Sequence, residues 1–406
     1  MLQPPQLLHI LKPPTRSRKT VRIASIMINY NLATTAATMT LLNMPRIGMG
    51  TLGLLPSEAS PVINQALSMG YRLFDCAPVY FNEMEIGDAF HEATSGVPRS
   101  DVFLTSKLAG PFHRPEHVEP ALRKTLHDLR IGYLDLFLIH WPVAFQYVDF
   151  DPTVRGWPNE DIDDSDNGKR IDPTVSIRDT WTGEVTILCL LPILFYLISY
   201  LILHPNNPQL QTKSIAMEKL VDDGLVKHIG VANFPVILLH DMLSYARIPP
   251  AVNQVEIHPY NQQSHLLDYC HTHNIAVQAY SPLGSPGYKE SAEPEVLSDP
   301  VLIEIANKHR ISVAQLCILW SLQRRCHVIA KSANKQHMEE NLLVHHRYEF
   351  ATTTTCEDDS TNAPTAGTTI SILSVQEMER IASLDRGYRF FRPEDWWTEN
   401  PVPVFH

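Results

Sequence analysis

The sequence predicts a closed eight-stranded (β/α)8 barrel, and three observations carry that prediction. Eight short apolar segments alternate with amphipathic ones along the chain. A polar or ionisable residue stands at or just beyond the end of each apolar segment. No G-x-G-x-x-G follows any of them, so the pyrophosphate turn of an open, doubly wound sheet is missing.

The predicted strands are Ile47–Thr51, Tyr71–Asp75, Val102–Ser106, Leu134–His140, His228–Ala232, Ala251–Glu256, Ala276–Ser281 and His327–Ala330. Most are rich in Val, Ile, Leu or aromatics, as strands covered on both faces should be. Val118–Leu129, Ala216–Asp223, Ser264–Tyr269 and Val313–Arg324 read as crossover helices. The strand ends then carry Thr51, Asp75, Lys107, His140, Asn233, Gln254, Tyr280 and Lys331. A barrel places its chemistry at that face, and a barrel without function would cap only one or two strands in this way.

Composition narrows the rest. The chain has 406 residues and a formal net charge of −11, which argues against nucleic-acid partners because phosphates attract basic surfaces. Cys76, Cys189, Cys270, Cys317, Cys326 and Cys356 form no C-x-x-C pair, so they read as free thiols in a reducing compartment and not as a metal site.

Asp75, Tyr80, Lys107 and His140 together fit carbonyl chemistry. A tyrosine, with a free pKa of about 10, can donate a proton if a cation favours its ionised form. Lys107 is expected to lower the pKa of Tyr80, Asp75 to hold Lys107, and His140 to orient a carbonyl oxygen. No side chain supplies hydride, so a nicotinamide or flavin must be bound. Taken singly, the same residues would pass for a buried ion pair and a core imidazole.

Several runs resemble the aldo-keto reductase family, across about residues 44–346. They include Gly70–Ala77 with Tyr80 and Asn82–Gly87, Leu136–Pro142, Leu225–Phe234 and Asn253–Tyr260. Tyr280–Gly284 and Ile329–Ser332 with Glu340 and Asn341 complete the set. The resemblance implies a TIM barrel that binds NADP(H), with NAD(H) the weaker alternative, and reduces an aldehyde or ketone. It makes Tyr80 the general acid, completed by Asp75, Lys107 and His140. Thr51, Asn233, Gln254, Tyr280, Ser281, Leu283, Ser285, Lys331, Ser332, His337, Glu340 and Asn341 would bind the cofactor. Leu52, Ala109 and Trp141 would line the substrate pocket.

Some positions depart from the family pattern. Ala232 replaces a serine, His337 an arginine, and Gly53 and Gly287 a charged pair that clasps the pyrophosphate in relatives. Leu52 and Ala109 replace bulky aromatics, so a wider pocket is expected.

Three stretches stand apart. Residues 1–40 carry five Lys/Arg and no acid, and read as a disordered extension, a transit peptide or sequence upstream of the true start. Residues 182–215 contain 18 uncharged residues, 186–203, long enough for about 27 Å of helix. One membrane span there would separate His140 from Lys331, so the preferred reading is sequence extraneous to the barrel, such as a translated intervening segment; a membrane-associated hairpin is the alternative. Residues 351–369 read as a flexible polar insertion. The expected protein is a cytoplasmic monomer acting on a small carbonyl or alcohol. The competing readings are a non-catalytic nicotinamide-binding subunit and an inactive product of a faulty transcript.

Overall fold

The computed structural model describes residues 42–92, 96–151, 154, 170–183, 216–287, 292–353 and 372–393. The N-terminal extension, residues 184–215 and most of the polar insertion lie outside them.

Eight parallel strands close into a barrel in sequence order. They are β1 (Ile47–Gly50), β2 (Leu73–Asp75), β3 (Phe103–Leu108), β4 (Leu134–Ile139), β5 (Val226–Ala232), β6 (Val252–Glu256), β7 (Ala276–Tyr280) and β8 (His327–Ala330). β1 pairs with β8, Ile47 opposite Val328, which closes the ring. The expected β2 loses its first two residues. Tyr71 instead completes the preceding helix end, its N–H bonded to Ala66 O and its hydroxyl to Met338 O.

The helices are α1 (Pro56–Met69), α2 (Glu83–Glu92), α3 (Pro115–Asp128), α4 (Ile177–Thr182), α5 (Met217–Asp222), α6 (Val236–Leu243), α7 (Ser264–Thr272), α8 (Pro300–His309), α9 (Val313–Gln323), α10 (Lys335–Thr353) and α11 (Val375–Ala382). α10 runs into the start of the expected polar insertion, through Thr353. Among the described residues no helix is long and apolar enough to cross a membrane, and 186–203 falls outside that description.

Side chains two apart along a strand share a face, and this alternation sorts the barrel interior. Leu73, Phe103, Leu136, Leu138, Val252, Ala276 and Ile329 form one apolar cluster, sealed by Leu42 and Met44. Continuing the same faces upward leads to Asp75, Lys107, His140, Gln254 and Tyr280. Apolar layers therefore fill the floor and polar groups collect at the mouth. Gly48 belongs to the floor, because a Cβ there would lie 2.5 Å from Leu73 Cγ. A larger, separate cluster packs the outer helices onto the strands.

The outer layer absorbs the interruption after β4. A capping box from Ser176 and Asp179 starts α4, and Gly183 ends it in the left-handed region at φ 73°. α4 and α5 pack on each other as two short helices. Trp181 is packed in the outer core cluster. It is 0% exposed, and its indole N–H donates to Ile248 O at 3.1 Å.

Candidate active site

The mouth of the barrel is organised around Lys107. Its ammonium donates to Asp75 Oδ2 at 2.8 Å, Cys76 O at 2.9 Å and Tyr80 Oη at 3.0 Å. Three donors meet three acceptors, which is what a fully buried lysine requires. β2 supplies Asp75, β3 supplies Lys107, and a single 3-10 turn, Pro78–Tyr80, returns the tyrosine over them. The turn ends at Phe81 in the left-handed region, φ 53°. Asn82 secures it by donating to Thr51 O and Leu54 O. Thr51 in turn donates its hydroxyl to Asp75 O at 2.8 Å.

Because Tyr80 Oη accepts from Lys107, its own hydrogen is free to point away from the lysine. His140 stands opposite, its ring 5.9 Å from the Tyr80 ring and edge-on to it. Burial, with the Lys107 cation and His113 adding to it, holds the His140 pKa well below the usual imidazole range. A neutral imidazole at pH 7 follows, with one N–H to donate. For Tyr80 the expected effect of Lys107 is present but is not the largest. Lys107 does favour the phenolate, but burial outweighs it and the pKa is pushed up to about 12. The same two partners, Asp75 and Tyr80, overcome the burial of Lys107 and raise its pKa.

Gln254 donates from Nε2 to Asp75 Oδ1 at 2.7 Å and also to Gln278 Oε1. Its amide nitrogen is thus committed to the protein. Asn233, at φ 63° after β5, donates to His140 O at 3.0 Å and accepts from Tyr280 Oη at 2.9 Å. Ser281 and Ser285 both take left-handed φ values, and Ser285 donates to Ser281 Oγ at 2.8 Å. Leu283 is partly buried against the outer core cluster.

Beyond β8, Lys331 is exposed and makes no ion pair among the described residues. Ser332 accepts from Asn334 N, and the exposed His337 donates its backbone N–H to Asn334 Oδ1. Glu340 accepts from Gln336 at 2.7 Å, while Asn341 is buried. Of the expected pocket residues, Trp141 lies 6.3 Å from His140 ring to ring. Leu52 is partly buried, whereas Ala109 is 1% exposed and sits in the core.

Two groups in the network were not foreseen. Gln278 lies on the same strand face as Tyr280, so reading β7 two residues at a time would have found it. Glu83, at the start of α2, accepts from Ser106 at 2.5 Å and Thr125 at 3.2 Å, and burial pushes its pKa up to about 8.

A closed parallel barrel with a lysine, an aspartate and a tyrosine joined at its mouth matches known proteins over most of its length. The aldo/keto reductase family profile covers residues 46–356. The protein named aldo/keto reductase slr0942 of Synechocystis is 39% identical over 363 residues, 87% of this chain and 89% of its own. Aldo-keto reductase family 1 member A1 of Gallus gallus is 36% identical over 365 residues, 89% of this chain and 91% of its own. The mouse protein of that name is 36% identical over 355 residues, 86% and 89% of the two chains. The chain belongs to the aldo/keto reductase family, a family of oxidoreductases.

Proposed function

We propose that the protein reduces a small aldehyde or ketone to its alcohol with NADP(H), and that Tyr80 delivers the proton. The observation that carries this reading is the chain Asp75–Lys107–Tyr80 at the barrel mouth, with a neutral His140 facing the tyrosine.

The residues at the mouth fit a nicotinamide dinucleotide. Tyr280 offers an aromatic face, Asn233 and the oxygen of Gln254 offer polar atoms to a carboxamide, and Ser281 and Ser285 offer hydroxyls. Lys331, an exposed cation without an ion pair among the described residues, and Ser332 fit a 2′-phosphate. His337, standing where relatives carry an arginine, narrows the preference for NADP(H) over NAD(H). Glu340 and Asn341 would contact the adenine. Bound there, the cofactor supplies the hydride.

The chain's own residues do the proton work. His140 donates its N–H to the carbonyl oxygen and aligns it beside Tyr80 Oη. As negative charge grows on that oxygen, the Tyr80 O–H bond breaks toward it. Lys107, already hydrogen-bonded to the phenol oxygen, stabilises the phenolate left behind. Asp75, held by Gln254 and Thr51, keeps the lysine in place. Leu52 is smaller than the aromatic that relatives carry at that place, which favours a broad range of aldehydes, glyceraldehyde and sugars included.

Tyr80→Phe tests the reading. It should lower kcat by about 10²–10⁴-fold with NADPH affinity nearly unchanged in fluorescence titration. Retention of more than about a tenth of kcat would hand the proton to another group.

A further inference from the structure

Glu256 ends β6 fully buried and in register with Tyr280 of β7. Its carboxyl group accepts from the ring of His258 at 2.9 Å, from Phe390 N at 2.8 Å and from Phe391 N at 3.2 Å. The last two donors come from the far end of the chain. A buried carboxyl that only needed satisfying could use neighbours in sequence. Drawing in two consecutive backbone N–H groups from the C-terminal segment fixes where that segment lies.

The segment is shaped to be held there. Arg386 N and Tyr388 N both donate to Tyr260 O, and Tyr388 Oη donates to Glu293 Oε1 at 2.8 Å. Arg392 lies 3.5 Å from the same Glu293. Gly284, at φ 72°, leaves room for Val296 and Phe390, the two side chains a Cβ there would meet. The result places the Phe391 ring edge-on to Tyr280, centroids 5.7 Å apart. Tyr280 in turn holds Asn233, which holds the backbone of His140.

We propose that Glu256 is a positioning residue: it fixes the C-terminal segment so that Phe391 braces Tyr280 and walls the carbonyl pocket. This rests on the reading that the nicotinamide meets Tyr280. Glu256 touches neither cofactor nor substrate in this scheme; it acts through Phe391.

The test compares Glu256→Gln, Phe391→Ala and the double variant in the full chain. Amide exchange should show the Phe390–Phe391 peptide protected in the parent and released in Glu256→Gln. KM for a bulky aromatic aldehyde should rise about tenfold in Glu256→Gln, the scale of losing a hydrogen bond to a charged group, with kcat changing less. Phe391→Ala should give the same rise, and the double variant no more than either single one. Additive losses, or amides that stay protected in Glu256→Gln, would overturn the proposal. If Glu256→Gln fails to fold, an unchanged KM in Phe391→Ala overturns it instead. Tyr280→Ala checks the underlying reading separately: unchanged NADPH affinity there removes the nicotinamide from Tyr280, whatever the amides of 390–391 do.

Discussion

Lys107 and Lys124 are both buried against an aspartate, Nζ 2.8 Å from Asp75 and 2.6 Å from Asp128. Their settings differ. Lys124 and Asp128 lie one turn apart on α3, so that pair closes within a single helix on the outside of the barrel. Lys107 and Asp75 come from two strands and meet at the mouth, where the lysine also holds Tyr80. Burial and pairing are the same in both, so neither marks chemistry. What distinguishes the Lys107 pair is its bond to Tyr80, whose hydroxyl carries a movable proton.

Methionine at each lysine breaks this comparison most directly. Lys107→Met should cost about 10²–10⁴-fold in kcat, because the phenolate left after proton transfer loses its cation. Lys124→Met should leave Asp128 buried without its cation, costing about 3–5 kcal/mol of stability and lowering Tm. The folded Lys124→Met protein should keep kcat within about twofold, as distant sites act independently. A lost kcat in Lys124→Met, measured well below its Tm, would show that the two pairs are not separate.

The pH profile sharpens the same contrast. Tyr80 has its pKa raised to about 12, so it is protonated, and ready to donate, throughout the neutral range. Reduction should therefore be flat from about pH 6 to 9 as far as Tyr80 is concerned. Alcohol oxidation needs the phenolate and should rise about tenfold per pH unit over the same range. His140 stays neutral there because its pKa is depressed. A reductive rate that steps near the ordinary imidazole pKa would return a charged histidine to the site.

Much of this was legible in the residues, and the limits follow from distance and burial. The strands could be read because parallel strands covered on both faces leave apolar runs, and β8 ends where expected. Asp75, Lys107 and His140 could be read because each is a polar residue ending such a run. The direction of the Tyr80 shift could not, since sequence shows the cation but not the desolvation that outweighs it. Nor could the burial of Lys124, whose spacing to Asp128 matches any exposed helix pair. Glu256 and Phe390 are 134 residues apart, and nothing local announces their meeting.

A third lysine provides a milder test. Lys331 is exposed, so its charge is screened and its effect smaller than that of Lys107. Lys331→Met should weaken NADPH binding by about tenfold, the scale of one charge-assisted hydrogen bond, and leave NADH nearly unchanged. His337→Arg should widen the preference. Equal losses for both cofactors in Lys331→Met would detach the lysine from the 2′-phosphate.

The smallest effect on the site is expected from removing residues 184–215 and joining Gly183 to Ala216. The ends of that segment border the Lys124–Asp128 pair and not the pair at the barrel mouth: α3, which carries Lys124, packs against both α4 and α5. Those ends are already anchored. Thr180 donates its hydroxyl to His113 O at 2.8 Å, Trp181 is bonded to Ile248 O, and Met217 and Leu220 are fully buried. All of these contacts lie among the described residues, and Trp181 fluorescence is expected to stay the same in the shortened chain. The run 186–203 has no charge, and apolar surface of that size promotes association with membranes or with other copies. We therefore expect the full chain to be poorly soluble or to sediment with membranes, and the shortened chain to be soluble with at least the kcat of the full chain. Fractionation and aldehyde turnover of both proteins decide it. A shortened chain that is insoluble or inactive beside a soluble, active full chain would make 184–215 an integral part of the barrel.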